Sequence, residues 1–412
     1  MKLAILGGSF NPVHLGHLFL ADTVLSSFDY DRVVMIPAFR SPFKPGAPNM
    51  ESTGADRLEM LAASIAGDWR LTIDNAEIRR EGVSYTVDTV RDIISRYRPE
   101  GKPGLVIGDD LAAGFPQWRE SGELLTMVDI IIARRVHSGE ETYPYPCVQI
   151  TNEVMEISSA MVRDRIAAGT AWRYLVPAAA RAIITDRRLY GFSGGEAGAD
   201  HSAAGSGGEQ PADCAAADTS QETIVRVEQA ARETLSLERF LHSRNTAVMA
   251  ADLCRRFGLD PAQGYLAGIA HDLGKPLSGG EMLHLAKKDG RPISDLERKK
   301  TSLLHGRAAA VLLRERFGVH NKAVLEAAAL HTGGGPDMGP LAKIVYIADK
   351  MEVSREKVNP APGNMCRSGS DLDSVFFAVL DETVKWLRSK KLELSKETFQ
   401  LLEKMKAGRK NP

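Results

Sequence analysis

The chain has 412 residues, 43% hydrophobic and 25% charged, an ordinary globular composition with material for two or three domains. Lysine and arginine total 52 against 53 aspartates and glutamates, a net charge of −1. That balance excludes duplex nucleic acid and an anionic membrane as the main partner, but leaves small phosphorylated ligands open. In chain order, the apolar runs KLAIL, RVVMIPA, WRLTI, GLVIG and DIIIARR predict strands. Between and after them, LGHLFLADTVLSS, ADRLEMLAASIA, TVDTVRDIISRY, SSAMVRDRIAA and PAAARAIITDRRL predict helices. Continuous apolar strands alternating with amphipathic helices imply a parallel sheet with helices on both faces, a Rossmann-like α/β domain over residues 1–192.

Residues 193–221 then change character. Ser193 to Ser220 contains no Leu, Ile, Val, Phe or Met, so this stretch is expected to be a flexible linker. Beyond it the pattern has helical period throughout, in ERFLHSRNTAVMAADLCRRF, PAQGYLAGIAHDL, LLHGRAAAVLLRERF, NKAVLEAAALH and LAKIVYIADKM, which predicts an all-α domain over residues 222–412. No run approaches the roughly 18 apolar residues of a membrane span. Met1–His17 has no small-residue cleavage pattern, so no secretion signal is expected. The cysteines Cys147, Cys214, Cys254 and Cys366 are scattered without a CxxC pair and suit a reducing, cytoplasmic setting.

Two constellations carry chemistry. The first strand runs into Gly7-Gly8-Ser9-Phe10-Asn11-Pro12-Val13-His14-Leu15-Gly16-His17 and then a helix. Glycines at a strand's carboxyl end let a ligand approach the backbone, and the helix start near His14 favours an anion. His14 and His17, three residues apart, share one face there and can donate to phosphoryl oxygens as charge builds. Neither a Walker A nor a GxGxxG pattern is present. In the second half, His242, the pair His271-Asp272, His305, His331 and Asp349 lie in helices or at their ends, several within apolar strings such as GIAHDLGK and VYIADK. Unpaired charges would be costly there. Imidazole plus carboxylate without thiolate suits two transition-metal ions, iron or manganese, with Asp272 as the bridge. Such a pair can polarise a phosphoryl group and activate water.

The string GGSFNPVHLGH resembles the signature of nucleotidyltransferases with HxGH-type motifs. With SYTVDT (84–89), IGDDL (107–111), FPQW (115–118) and ISSAMVR (157–163), it is similar to bacterial nicotinate-nucleotide adenylyltransferases. The resemblance implies ATP with Mg2+ and nicotinate mononucleotide as ligands, held in part by the Gly7–Phe10 turn. His14 and His17 would act on the α-phosphate, Lys44 would contact phosphate, and Ser158, Ser159 and Arg163 would hold the ATP phosphates. Gly108 and Asp110 would face the ribose, Trp118 would stack on the pyridine, and the backbone at Thr86 would receive its carboxylate. Two departures stand out: Ser41-Pro42-Phe43-Lys44 lacks the usual His before the Lys, and Ala160 replaces a usual Thr. The second half resembles the HD superfamily of metal-dependent phosphohydrolases, and more finely the YqeK-type symmetrical dinucleoside tetraphosphatases. That resemblance implies the six ligands named, with Lys275 and Arg355 on phosphate, Glu352 orienting a ligand or water, and dinucleoside polyphosphates as substrates. Other nucleotide or cyclic-phosphate phosphohydrolases share the fold, and a catalytically silent nucleotide sensor is the rival of another class. The composition leaves homo-oligomerisation open.

Overall fold

The computed structural model describes residues 1–40, 42, 52–134, 142–194, 219–355, 360–367 and 369–410. Lys44 and most of the expected linker (195–218) lie outside them. The chain divides into two compact units, Met1–Gly207 and Gly208–Pro412.

In the first unit, β1 (Leu3–Gly8), β2 (Arg32–Pro37), β3 (Leu71–Ile73), β4 (Gly104–Gly108), β5 (Asp129–Ala133) and β6 (Val148–Ile150) form an all-parallel sheet in the order β3-β2-β1-β4-β5-β6. The intervening helices are α1 (Leu15–Ser27), α2 (Gly54–Ser64), α3 (Ala76–Arg80), α4 (Thr86–Tyr97), α5 (Asp109–Ala112), α6 (Ser121–Met127), α7 (Ser159–Ala167) and α8 (Ala178–Asp186). Side chains on both faces of β1, β2, β4 and β5 are buried, as their continuous apolar runs require. The chain winds outward from β1 to β3 and returns to β4 on the other side of β1. Strand order therefore reverses between β1 and β4, where a crevice opens at the carboxyl ends. Gly7, Gly8 and Gly108 stand at that point.

The second unit is all helical among its described residues: α9 (Gln221–Thr234), α10 (Leu237–Arg256), α11 (Pro261–Ala270), α12 (Gly279–Ala286), α13 (Asp295–Lys299), α14 (His305–Phe317), α15 (Lys322–Leu330), α16 (Pro340–Met351), α17 (Pro360–Arg367), α18 (Leu372–Ser389) and α19 (Lys396–Lys410). Ser220, Ser236, Asp260, Ser278, Asn321 and Asp371 each cap a helix by accepting a first-turn N–H, which fixes where those helices begin. Between the two longest-contacting neighbours, α10 and α11, the approach is close. A Cβ on Gly268 would sit 2.5 Å from the Ala247 Cα, and one on Gly264 would sit 2.8 Å from the Ala250 carbonyl oxygen. Replacing Gly268 by Ala should therefore destabilise the second unit by about 2–3 kcal/mol through overpacking. Denaturant unfolding checks this, and an unchanged transition would mean that the two helices do not meet this closely.

Candidate active sites

His14 is the N-cap residue of α1 and 4% exposed, and His17 stands one turn on. Their rings stack with centroids 3.7 Å apart. The His14 backbone N–H donates to His17 Nδ1 at 3.2 Å, so the His17 proton sits on Nε2, which can donate to a phosphoryl oxygen. The Phe10 ring packs 4.7 Å from the His17 ring and is fully buried. A Cβ on Gly16 would come within 3.1 Å of His14 Nδ1, so glycine there keeps the ring in place.

Beside this pair lies a cleft of about 330 Å³. Gly7, Gly8, Ser9, His14 and His17 form one part of its wall, and Thr86, Gly108, Asp110, Trp118, Ser158 and Ser159 another. Thr86 is the first residue of α4, whose opening N–H groups are available to an anion. Trp118 is half-buried against Phe115, ring centroids 5.3 Å apart. Phe10 lies outside the cleft wall and supports His17 from behind. Arg163 donates to the Asn11 carbonyl at 2.7 Å, and Ser159 to the Pro12 carbonyl at 2.9 Å, so both grip the loop that carries the histidines. Ser158 caps α7 by accepting the Met161 N–H. Ala160 lines the cleft. Sequence reasoning missed Glu77, a buried carboxyl in the cleft wall. Burial pushes its pKa up against the hydrogen bond donated by Thr89 at 2.5 Å. It also missed Arg134 and Asn152, joined by paired backbone-to-amide bonds.

In the second unit all six expected ligands are buried. His242 lies within α10 and Asp349 within α16, while His271 and His331 follow the last residues of α11 and α15, and His305 opens α14. Backbone groups that helix ends leave unpaired orient three of the rings. His271 Nδ1 lies 2.6 Å from the Gly268 carbonyl, His305 Nδ1 2.6 Å from that of Ser302, and His331 Nδ1 2.8 Å from that of Ala328. The fourth ring, His242, has its Nδ1 3.1 Å from the buried Glu352 carboxylate. With every Nδ1 engaged, the Nε2 atoms turn inward. His305 and His331 Nε2 are 2.9 Å apart, and His271 Nε2 is buried without a hydrogen-bond partner. Asp272 Oδ1 faces His305 at 3.2 Å and His331 at 3.7 Å, while its Oδ2 faces His271 at 3.5 Å. Asp349 Oδ1 lies 3.2 Å from His242 Nε2 and 3.8 Å from His271 Nε2. Two overlapping triads result, His242–His271–Asp349 and His271–Asp272–His331, sharing His271. Convergent nitrogen lone pairs and carboxylates, each fixed from behind, are a donor set that fits divalent transition metals.

The buried groups also act on one another's charge. Burial opposes ionisation of Asp272, but the histidines His271, His305 and His331 hold its carboxyl far below the usual range. Burial likewise opposes the charged form of His242, yet Asp349 and Glu352 win and lift it to about 9. His331 goes the other way, pushed well down by burial and by its neighbours His271 and His305. Cations flank the cluster: Arg355 reaches Asp349 Oδ1 at 2.8 Å, and Lys350 bridges Asp349 Oδ2 and the His331 carbonyl at 2.7 Å each. Lys275 is exposed, four residues beyond His271. Sequence reasoning missed Arg239, which donates to Asp272 Oδ2 at 3.1 Å, and Thr332, whose hydroxyl is 3.2 Å from His331 Nε2. Arg239 sits three residues before His242, a helical spacing that was available as a signal.

The parallel sheet and the histidine pair define the first unit as a nucleotidyltransferase, and the cytidylyltransferase-like family model matches residues 5–165. The second unit is an HD domain, whose model matches residues 239–354. A protein named "Probable nicotinate-nucleotide adenylyltransferase" from Treponema pallidum is 40% identical over 204 residues, which are 46% of this chain and 99% of that protein. One of the same name from Synechococcus sp. is 39% identical over 198 residues, 46% of this chain and 96% of that one. Over its first unit the chain belongs to the nicotinate-nucleotide adenylyltransferase family. A solved structure, a predicted HD superfamily hydrolase involved in NAD metabolism from Clostridium acetobutylicum, aligns over 44% of this chain and 96% of its own at 27% identity with a TM-score of 0.42.

Manganese or ferrous ion at about 100 times its Kd should stabilise the second unit by about 3 kcal/mol. Asp272→Asn should remove most of that gain. Calorimetry with and without metal checks both, and a wild-type chain indifferent to metal would contradict the ligand assignment.

Proposed function

We propose that the first unit, residues 1–192, transfers the adenylyl group of ATP to nicotinate mononucleotide, giving nicotinate adenine dinucleotide and pyrophosphate. One observation carries this reading: the stacked His14–His17 pair stands at the start of α1 and lines one cleft with Trp118 and Thr86, the first residue of α4. The family relatives favour the same substrate. The 5′-phosphate oxygen of the mononucleotide attacks the α-phosphorus in line. A new P–O bond forms as the bond to pyrophosphate breaks, with no covalent enzyme intermediate. His17 Nε2–H and the His14 ring stabilise the charge on the α-phosphoryl oxygens. Mg2+ bound with ATP would supply neutralisation of the phosphate charge. The opening N–H groups of α4 at Thr86 receive the pyridine carboxylate, Trp118 stacks on the ring, and Gly108 with Asp110 faces the ribose. Lys44 contributes a phosphate contact.

For the second unit, residues 222–412, we propose symmetrical hydrolysis of diadenosine tetraphosphate to two ADP. Six residues, His242, His271, Asp272, His305, His331 and Asp349, would hold two metal ions, and iron suits this donor set. When bound, such ions polarise a phosphoryl group and activate water. Asp272 has its two oxygens turned to different histidines, which suits a bridge. Glu352 orients His242, while Lys275 and Arg355 receive phosphate charge. No helix among the described residues is long and apolar enough to cross a membrane, and we place the protein in the cytoplasm, with residues 193–221 as the linker.

Nicotinate mononucleotide should be used at least about 100-fold more efficiently than its amide, because the amide's NH₂ would oppose N–H donors. Equal kcat/KM for both would refute the pyridine assignment. His17→Ala should cut adenylyl transfer by about 10²–10³-fold and leave hydrolysis intact. Asp272→Ala should lower bound metal and abolish tetraphosphate cleavage with transfer unchanged. Metal quantification with product analysis checks both variants, and an Asp272→Ala chain that still releases two ADP would refute the assignment of the hydrolytic site.

A further inference from the structure

The loop between β1 and α1 is held by several side chains, most of them outside the cleft wall. Arg57, on α2 and 1% exposed, donates from one terminal nitrogen to the Ser9 carbonyl at 2.7 Å and the Ala38 carbonyl at 2.6 Å. Ser9 follows β1 and Ala38 follows β2, so a single guanidinium ties together the ends of two neighbouring strands. Its Nε and other terminal nitrogen are buried without a hydrogen-bond partner. The same loop is gripped further along. The Ser52 hydroxyl at 2.5 Å and the Tyr190 hydroxyl at 2.7 Å both donate to Asn11 Oδ1, while Arg163 and Ser159 take the Asn11 and Pro12 carbonyls. Tyr190 does this from a fully buried site at a φ of 59°, a backbone conformation that bulky residues rarely adopt.

A buried, incompletely paired guanidinium is costly, and an apolar side chain of similar length would pack at less expense. What Arg57 supplies beyond packing is a fork across two strand ends and a fixed positive charge under the loop that bears the histidines. In a low-dielectric setting that charge favours an anion above the loop. We propose that Arg57 is a positioning residue for adenylyl transfer, presetting the Ser9–His14 loop for the phosphates of ATP from below, with Tyr190 securing the loop's far end. The proposal rests on the adenylyltransferase reading of this unit.

Full-length Arg57→Met, Arg57→Lys and Tyr190→Phe, each checked for folding by circular dichroism, test it. In Arg57→Met, kcat should fall about 100-fold and KM for ATP should rise about tenfold, while KM for nicotinate mononucleotide stays within about twofold. Arg57→Lys should recover part of the loss, and Tyr190→Phe should lower kcat about tenfold. Calorimetric ATP affinity should weaken in parallel with the ATP KM. A merely structural role would reduce the amount of folded enzyme and leave both KM values alone. A folded Arg57→Met chain with wild-type ATP KM and ATP affinity overturns the proposal. If that variant does not fold, the same result in Arg57→Lys and Tyr190→Phe overturns it. A wild-type chain that makes no nicotinate adenine dinucleotide would instead refute the adenylyltransferase reading, and the ATP affinities would still decide the role of Arg57.

Discussion

The atom of each key histidine that faces away from the chemistry decides what the other ring nitrogen can do. In the second unit, Nδ1 of His271, His305 and His331 is tied to a backbone carbonyl three residues earlier, and Nδ1 of His242 to Glu352. Each bond is worth about 1 kcal/mol in stability, a small sum. Its consequence for chemistry is larger, because a carbonyl can only accept. At the three rings bonded to carbonyls a proton must sit on Nδ1, which leaves Nε2 as the atom turned into the cluster. Helix ends make this possible at His271 and His331, since the last-turn carbonyls have no partner within the helix.

The first unit is wired in the opposite sense. His17 Nδ1 accepts a backbone N–H from His14, so its Nε2 carries the proton and faces outward as a donor. One unit thus turns an imidazole N–H outward and the other turns ring Nε2 atoms into a buried cluster, from the same side chain. The loop that carries the first histidine pair obeys a related rule. Its carbonyls at Ser9, Asn11 and Pro12 are drawn inward by Arg57, Arg163 and Ser159, which leaves the anion-facing side of the loop free of carbonyl oxygens from those three residues.

Much of this was readable in the sequence where periodicity and length were strong. The strand GLVIG and the helix TVDTVRDIISRY coincide with β4 and α4, and LGHLFLADTVLSS with α1. Short elements escaped: β6 has three residues, two of them exposed, and α3 has five, so neither offers a full period to detect. The buried cluster of histidines and aspartates was legible because imidazoles and carboxylates embedded in apolar strings demand partners. The hydrogen bond from Arg163 to the Asn11 carbonyl was not legible, because a motif gives a residue's neighbourhood but not the direction of its guanidinium. Arg57 was invisible for a different reason. In ADRLEMLAAS an arginine beside acidic residues reads as solvated, and only the tertiary structure shows that it lies buried beneath the neighbouring strand ends.

The most direct test of this wiring is long-range 1H–15N correlation NMR on the histidines of the full chain, metal-free and after addition of diamagnetic zinc. The expected result is an Nδ1–H tautomer at His271, His305 and His331 with Nε2 shifted on metal addition, and an Nε2–H tautomer at His17 that metal leaves unchanged. Nε2–H tautomers at the three second-unit histidines, or Nε2 signals indifferent to the metal, would contradict it.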